Sequence, residues 1–238
     1  MSHLLSIDYL INCLHVGSSG ILAGMGHRAF KNRIYSEFAR LAQAMASDRR
    51  LELLDLLAQG PRHVDALAAE TEMPKANVSQ HLQILRAAHL VETERDGTRI
   101  LYRLAGDDVL SLWHALRTVA ENRLPEIASI SRSFAIEGAD VAPFALDDVM
   151  VKVALGELTL IDVRPLLEYD NGHLPGAIPV PPNELAERAA GLPAGKPVVA
   201  YCRGAYCHFA DEAVVYLKTL GMEAYRLDTG WLEWRVHS

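Results

Sequence analysis

Cysteine is scarce in this chain: Cys13, Cys202 and Cys207 are its three thiols among 238 residues. So few cysteines cannot build the disulfide framework of a small secreted protein, and we expect a reducing, cytoplasmic location. A long unbroken apolar run is also missing. The most apolar stretch, residues 1–22, contains an aspartate, glycines and serines and lacks a basic start, so it is typical of neither a transmembrane helix nor a signal peptide. We therefore expect no membrane partner.

Residues 1–26 are predicted to be an N-terminal extension. Two interpretations stay open for residues 1–24: a native, ordered segment, or a stretch that is disordered or non-native, with Met25 as the natural start. Cys13 lies in this stretch and is interpreted as an incidental apolar residue rather than a functional thiol.

A strong excess of positive charge is absent as well, since the net charge of the chain is −7. The negative charge is distributed unevenly along the sequence. Residues 27–106 hold 12 Lys and Arg against 10 Asp and Glu, whereas the rest of the chain has a balance of −9. This asymmetry predicts two domains with different partners. The basic excess of the first block is too small to establish nucleic-acid binding by itself.

The first block has the pattern of a small helical domain that ends in a β-hairpin. Apolar residues recur at helical spacing from Phe30, Ser47 and Asp48 supply an N-cap, and Asp96-Gly97 is a two-residue hairpin signal. The pattern predicts helices over residues 30–45, 49–59, 64–71 and 75–88, then strands over residues 90–94 and 99–104.

The helix predicted over residues 75–88 has two different faces. Val78, Leu82 and Leu85 point toward a core. The other faces carry polar side chains that can donate to phosphates or read base edges in a major groove. These candidate DNA contacts are Lys75, Asn77, Ser79, Gln80, His81 and Gln83, together with Arg95 and Arg99 at the hairpin.

Residues 77–104, NVSQHLQILRAAHLVETERDGTRILYRL, resemble the ArsR family of winged helix-turn-helix regulators. The resemblance implies a homodimer that pairs through a helix over residues 107–122 and binds a palindromic double-stranded DNA operator. A small helical domain with no DNA partner remains the alternative.

This half departs from the metal-sensing members of that family. Residues 62–69 contain no cysteine, and Asp108, His114 and Glu121 on the dimerisation helix do not form a convincing ligand pair. We expect no metal site, and the DNA-binding half is predicted to lack a sensor of its own.

Residues 125–142 are predicted to be a linker, and residues 143–238 show the alternation of strands and helices of a small parallel-sheet domain. Cys202 follows the strand predicted over residues 197–201 and precedes a helix over residues 209–220. A thiol at such a turn lies near converging backbone N–H groups and the positive end of a helix dipole, which lower its pKa and make it a nucleophile.

Three segments of this half are similar to rhodanese domains: LIDVRPLLEYDNGHLPGAIPVP, KPVVAYCRG and TGWLEW. The resemblance implies that Cys202 takes a sulfur atom from a sulfane donor and passes it to a thiol acceptor. The backbone of the loop Arg203, Gly204, Ala205, Tyr206 and Cys207 would bind the persulfide, and Asp162 and Arg164 would support that loop. No cofactor is implied.

Cys207 departs from the rhodanese pattern, because many single-domain members have an arginine there. We expect Cys207 to act as a resolving thiol that attacks the Cys202 persulfide, with a small buried residue as the alternative. Phosphatase or arsenate-reductase chemistry is disfavoured, since the loop lacks the closing arginine that a tetrahedral dianion needs. Zinc binding by Cys202, Cys207 and His208 lacks a fourth ligand.

The predicted fold is multidomain: a winged helix-turn-helix domain over residues 27–124, α+β but mainly α, then the linker and a small α/β rhodanese-like domain. The favoured function is a DNA-binding regulator, a repressor, whose rhodanese domain forms a Cys202 persulfide and senses reactive sulfur. The alternative is a sulfurtransferase that uses thiosulfate or a persulfide as donor, with the winged helix serving for dimerisation or targeting.

Overall fold

The computed structural model describes residues 26–237, with side chains through Val236. Cys13 and almost all of the predicted extension lie outside the described residues. No helix among residues 26–237 is long and apolar enough to cross a membrane. The chain divides into two compact units, residues 1–43 and residues 44–238.

The described part of the first unit belongs to helix α1 (His27–Met45), which begins three residues before the predicted start at Phe30. Phe30, Ile34 and Phe38 lie on its exposed surface.

The second unit begins with the winged helix-turn-helix elements. They are α2 (Asp48–Ala58), β1 (Arg62–His63), α3 (Val64–Thr71), α4 (Lys75–Ala87), β2 (Val91–Asp96), β3 (Arg99–Leu104), α5 (Asp107–Arg123) and α6 (Pro125–Ser133). The predicted core residues of α4, Val78, Leu82 and Leu85, are fully buried. The three strands form an antiparallel sheet in the order β1-β3-β2.

The hairpin turn lies one residue later than predicted. Asp96 is the last residue of β2 and pairs with Arg99, so Gly97 and Thr98 form the turn. Gly97 has a φ of +59°, which glycine adopts without the steric penalty that a side chain would cause.

The apolar residues of helix α5 divide into a set that packs within the chain and a set that is exposed. Val109 is buried, and Trp113 Nε1 donates a hydrogen bond of 2.9 Å to the Asp55 carboxylate of α2. Val109 and Trp113 therefore pack against their own chain. Leu112, Leu116 and Val119 remain exposed on the other side of the helix.

The segment predicted as a linker contains regular structure. Its first part is helix α6, which Pro125 begins. Its last part joins the edge of the second sheet, where Ala142 N–H donates to the Arg226 carbonyl at 2.7 Å and Arg226 N–H donates to the Asp140 carbonyl at 2.8 Å.

The remaining elements form the rhodanese-like part. They are α7 (Leu146–Ala154), β4 (Thr159–Asp162), α8 (Leu166–Asp170), β5 (Ile178–Pro179), a 3-10 turn (Pro182–Glu184), α9 (Leu185–Ala189), β6 (Val198–Tyr201), α10 (His208–Thr219), β7 (Ala224–Arg226) and α11 (Trp231–His237).

The four strands of this part form a parallel sheet in the order β5-β4-β6-β7. Both faces of the sheet are covered, which explains why every residue of β4 and β6 is buried. Val198 and Ala200 of β6 belong to the same cluster as Leu217 of α10, whereas Val199 and Tyr201 belong to the cluster of Val149 on α7. The carboxyl end of β6 leads directly into Cys202.

Helix α11 connects the rhodanese-like part to the winged helix. Its Leu232 forms one buried apolar cluster with Ala58 of α2 and Leu110 of α5. The two parts of the second unit therefore share a piece of hydrophobic core.

Candidate functional site

Residues 202–207 form the thiol loop, which connects β6 to the N-terminus of α10. Cys202 is 1% exposed, and a disulfide joins it to Cys207 with the two Cα atoms 6.1 Å apart. The two cysteines are thus within bonding reach of each other, as a nucleophile and its resolving thiol must be. Cys207 N–H donates to the Gly204 carbonyl at 3.2 Å, so this amide is part of the turn of the loop.

A buried polar network lies beside the start of the thiol loop. Tyr201, the residue before Cys202, donates its hydroxyl to Asp162 at 2.5 Å and accepts from Leu174 N–H at 3.0 Å. Arg164 Nη2 donates to the same carboxylate at 2.6 Å. Burial and the charge of Asp162 raise the pKa of the Tyr201 hydroxyl, which therefore stays protonated. The two residues predicted to support the loop, Asp162 and Arg164, are the ion pair of this network.

Arg164 also reaches into the winged-helix part. Its Nη1 donates to Gln59 Oε1 at 2.9 Å, and Gln59 is the last residue before the turn at Gly60. The network beside the thiol loop therefore includes a side chain from the end of α2.

Gly230 packs against the backbone of Cys202. A Cβ atom at this position would lie 2.4 Å from the Cys202 carbonyl oxygen, so the site accepts glycine alone without a shift of the backbone. Glu233 accepts a hydrogen bond of 2.7 Å from Gly230 N–H and forms an ion pair with Arg117 of α5. One carboxylate thus links the glycine that supports the thiol loop to helix α5.

The side chain of Arg203 points away from the thiols toward the winged-helix part. Its Nε donates to Glu168 of α8 at 3.0 Å, and its Nη2 donates to Glu70 of α3 at 2.6 Å. Arg62 of β1 contacts the same two carboxylates, at 2.5 Å to Glu168 and 2.6 Å to Glu70. These four residues are called the ion cluster below.

The ion cluster is neutral as a whole and largely buried. The side chain of Glu168 is 0% exposed and that of Arg62 is 3% exposed. Burial alone would lower the pKa of the Arg203 guanidinium, but hydrogen bonding and the charge of Glu168 raise it overall. Each guanidinium of the cluster contacts both carboxylates.

Tyr206 forms a second contact between the thiol loop and the winged helix. Its hydroxyl donates to Glu121 of α5 at 2.9 Å, and burial together with Glu121 raises its pKa to about 12. A cavity of about 350 Å³ opens beside Tyr206 and is lined by Arg117, Ala128 and Thr229 among others. This volume is in the range of pockets that hold small molecules.

The candidate DNA contacts of α4 divide by exposure. Lys75, Asn77, Gln80 and Gln83 are exposed, whereas Ser79 and His81 are half-buried. Lys75 pairs with Asp65 of α3 at 2.8 Å. Most of the predicted helix face is therefore open to a partner.

The candidate contacts on the hairpin, Arg95 and Arg99, are exposed on β2 and β3. The hairpin is tied to the short strand β1, because the His63 ring lies 3.1 Å from both the Ile100 carbonyl (Nδ1) and the Asp96 carboxylate (Nε2). The structure thus links the predicted wing to the residue that follows Arg62.

His208, the third residue considered for zinc, lies 3.4 Å from Asp211. Among residues 26–237, no group of three or more His, Cys, Asp or Glu side chains is arranged to hold a metal ion.

None of the residues that join the thiol loop to the winged helix was predicted for that role. Glu168 lies within the motif LEYDNGH and Glu233 within TGWLEW, but neither segment indicates a role for its glutamate. Arg62 and Arg203 find their partners 106 and 133 residues away along the chain. No local sequence pattern indicates contacts between residues so far apart in the chain.

Two families match separate parts of the chain. Residues 47–93 match the bacterial regulatory proteins of the arsR family, and residues 146–237 match the rhodanese-like domain. The first match extends from α2 to the start of β2, and the second contains the thiol loop.

Relatives extend the match to most of the chain. The HTH-type transcriptional regulator Rv0324 of Mycobacterium tuberculosis is 43% identical over 215 residues, which cover 90% of this chain and 93% of that protein. The biofilm growth-associated repressor of Agrobacterium fabrum is 38% identical over 84 residues, covering 35% of this chain and 72% of the relative. A solved homodimeric winged helix-turn-helix DNA-binding domain from Mycobacterium bovis is 44% identical, covers 43% of this chain and 94% of that chain, and has a TM-score of 0.40.

The identity to the Rv0324 regulator spans both halves of this chain and nearly the whole of that protein. This chain therefore belongs to the HTH-type transcriptional regulators, and it joins an ArsR-family helix-turn-helix domain to a C-terminal rhodanese-like domain.

Proposed function

We propose that this regulator responds to sulfane sulfur, and that the state of Cys202 and Cys207 sets its affinity for DNA. One observation carries the proposal: Arg203, the residue after Cys202, hydrogen-bonds to Glu70 on the helix that precedes α4. A change in the conformation of the thiol loop moves a charged group that the DNA-binding half holds. Coupling requires that the two states of the loop differ in how well they fit the DNA-competent dimer.

The chemistry begins with the Cys202 thiolate. It attacks the outer sulfur of a sulfane donor such as a low-molecular-weight persulfide, the sulfur–sulfur bond of the donor breaks, and the donor thiolate leaves with the electron pair. A persulfide remains on Cys202. The cavity beside Tyr206 is lined by Ala205 of the same loop and has room for a donor of this size, but neither thiol lines it. Backbone N–H groups of the thiol loop and the N-terminus of α10 favour the negative charge of the persulfide.

Cys207 completes the reaction. Its thiolate attacks the Cys202 sulfur, a disulfide forms, and the outer sulfur leaves as hydrosulfide. The two cysteines are oxidised by two electrons and the sulfane sulfur is reduced to sulfide, so the step needs no further oxidant. The pairing of Cys202 with Cys207 in the structure supports this role for Cys207. An external thiol acceptor that reduces the disulfide resets the loop.

The DNA partner in this proposal is a palindromic operator bound by a homodimer in the cytoplasm. The exposed apolar residues of α5, Leu112, Leu116 and Val119, support pairing with a second copy, because open apolar surface of this kind favours association. In each copy, α4 enters the major groove with Asn77, Gln80 and Gln83, and the wing places Arg95 and Arg99 along the phosphates.

A mobility-shift titration tests the response. The reduced protein is bound to its own promoter before and after treatment with inorganic polysulfide, for the wild type and for Cys202→Ser. We expect the treatment to change the wild-type dissociation constant at least about tenfold and to leave Cys202→Ser unchanged. Cys13→Ser removes the third thiol and serves as the matched control that keeps the response.

Two results would contradict the proposal. Specific binding that is insensitive to polysulfide in the wild type would remove the sensor role. The absence of specific DNA binding, combined with turnover of sulfane sulfur to a thiol acceptor, would favour the sulfurtransferase.

A further inference from the structure

The two residues of β1 face opposite neighbours, as successive residues of a strand do. Arg62 is buried in the ion cluster beside the thiol loop. His63, next to it in the chain, contacts the wing through Asp96 and the Ile100 carbonyl. A strand two residues long therefore touches the sulfur site on one side and a DNA-binding element on the other.

The contacts of His63 define its chemistry. A backbone carbonyl and a carboxylate both accept hydrogen bonds, whereas a neutral imidazole has one N–H to donate. Both contacts are hydrogen bonds only when the ring is an imidazolium. Asp65 of α3 is a further charged group near this ring.

The opposite end of the connection is Arg203. Arg203 shares both carboxylates of the ion cluster with Arg62. A movement of Arg203 away from the cluster therefore leaves Glu70 and Glu168 with one guanidinium partner, Arg62, in place of two. A buried charge that loses its partner is strongly destabilising, so the remaining side chains of the ion cluster must rearrange. Arg62 is anchored in β1, which pairs with β3 of the wing at Tyr102.

We propose that Arg62 and His63 are positioning residues that transmit the state of the thiol loop to the wing. This inference rests on the proposed function and specifies which DNA-binding element is regulated. The wing contacts phosphates, and phosphate contacts contribute to affinity without reading sequence. Polysulfide treatment then changes the affinity for the operator and for unrelated duplex by similar factors, and it changes the salt dependence of binding.

The test uses the full chain with His63→Leu, which leaves the ion cluster intact. Operator affinity is measured against salt concentration, before and after polysulfide, and mass spectrometry follows the Cys202–Cys207 linkage. We expect the linkage to form as in the wild type, while the change in dissociation constant falls from at least about tenfold to less than about twofold. Gln80→Ala is the matched control: it removes a candidate DNA contact of α4 rather than of the wing, weakens operator binding in both states, and keeps the ratio.

A conservative variant separates positioning from a structural role. His63→Gln keeps a side-chain N–H donor at this position, and we expect it to restore most of the polysulfide response that His63→Leu loses. Equal loss of the response in both variants would mean that the hydrogen bond from residue 63 to the wing carries no signal.

Full retention of the polysulfide response in His63→Leu would overturn the inference and leave the proposed function standing. A change in operator affinity with no change for unrelated duplex would also overturn it, because the response would then lie in base reading by α4. A wild type without any response would instead refute the proposed function.

Discussion

The two parts of the second unit place their charged groups differently. In the winged helix, Lys75 and Asp65 form an ion pair with both side chains more than half exposed. In the rhodanese-like part, Asp162 and Arg164 form an ion pair at 0% exposure beside Cys202. Exposed charged side chains can exchange bound water for a binding partner, whereas buried and paired side chains provide a rigid support for a reactive group. Under the proposed function, the winged helix, which contains no thiol, receives its signal across the boundary between the two parts.

Breaking the enclosed ion pair gives the largest expected effect. Asp162→Ala leaves Arg164 buried without its carboxylate and removes the acceptor of Tyr201, so we expect a loss of about 3–5 kcal/mol in the free energy of unfolding. Chemical denaturation measures it. Asp65→Ala, the matched change in the winged helix, should leave stability unchanged. Equal losses in the two variants would refute the comparison.

The second-largest expected effect comes from comparing Gly230, beside Cys202, with Gly97 in the wing. Gly230→Ala places a methyl group against the Cys202 carbonyl, and we expect a loss of about 3 kcal/mol together with altered alkylation of reduced Cys202 by iodoacetamide. Gly97→Ala at the wing meets no atom within 4 Å and is strained only by its positive φ, for about 1 kcal/mol. Its alkylation rate should match the wild type. Unaltered alkylation in Gly230→Ala would show that this contact does not shape the thiol loop.

The smallest expected effect concerns Asp55, which accepts from Trp113 within the winged helix. Burial raises the pKa of its carboxyl, although the Trp113 hydrogen bond acts in the opposite direction. A raised pKa means that the contribution of this carboxyl to stability is complete below its ordinary pKa and is lost as pH rises through the folded value.

Asp55→Asn keeps an acceptor for Trp113 without the buried charge. We therefore expect its melting temperature to exceed that of the wild type by a few degrees at neutral pH, with the gain vanishing on acidification. Thermal unfolding over a pH series measures both. A lower melting temperature at neutral pH would mean that the charge of Asp55 is itself stabilising.

The elements with strong local signals were predictable from the sequence. The polar and apolar faces of α4 placed Val78, Leu82 and Leu85 in the core, and the buried strand before Cys202 placed the thiol loop at the end of a parallel sheet. These features follow from periodicity and from turn chemistry, which depend on neighbours in sequence. The hairpin turn was predicted one residue too early, because the pairing of β2 with β3 decided between local alternatives.

The coupling between the halves was not predictable. Helix α11 and strand β1 are too short for a periodic signal, and β1 exists because Arg62 and His63 pair with β3 nearly forty residues later in the chain. The contacts of Arg203 with Glu70 and Glu168 depend on how two domains pack. A charged residue in a sequence gives no indication of whether it will be solvated or enclosed.

The buried cluster of Ala58, Leu110 and Leu232 has a consequence for engineering. A biosensor built by grafting the rhodanese-like part onto a foreign repressor would cut through this cluster and expose apolar surface on both pieces. The transferable module is therefore the thiol loop with α11 and the faces of α2 and α5 that receive it.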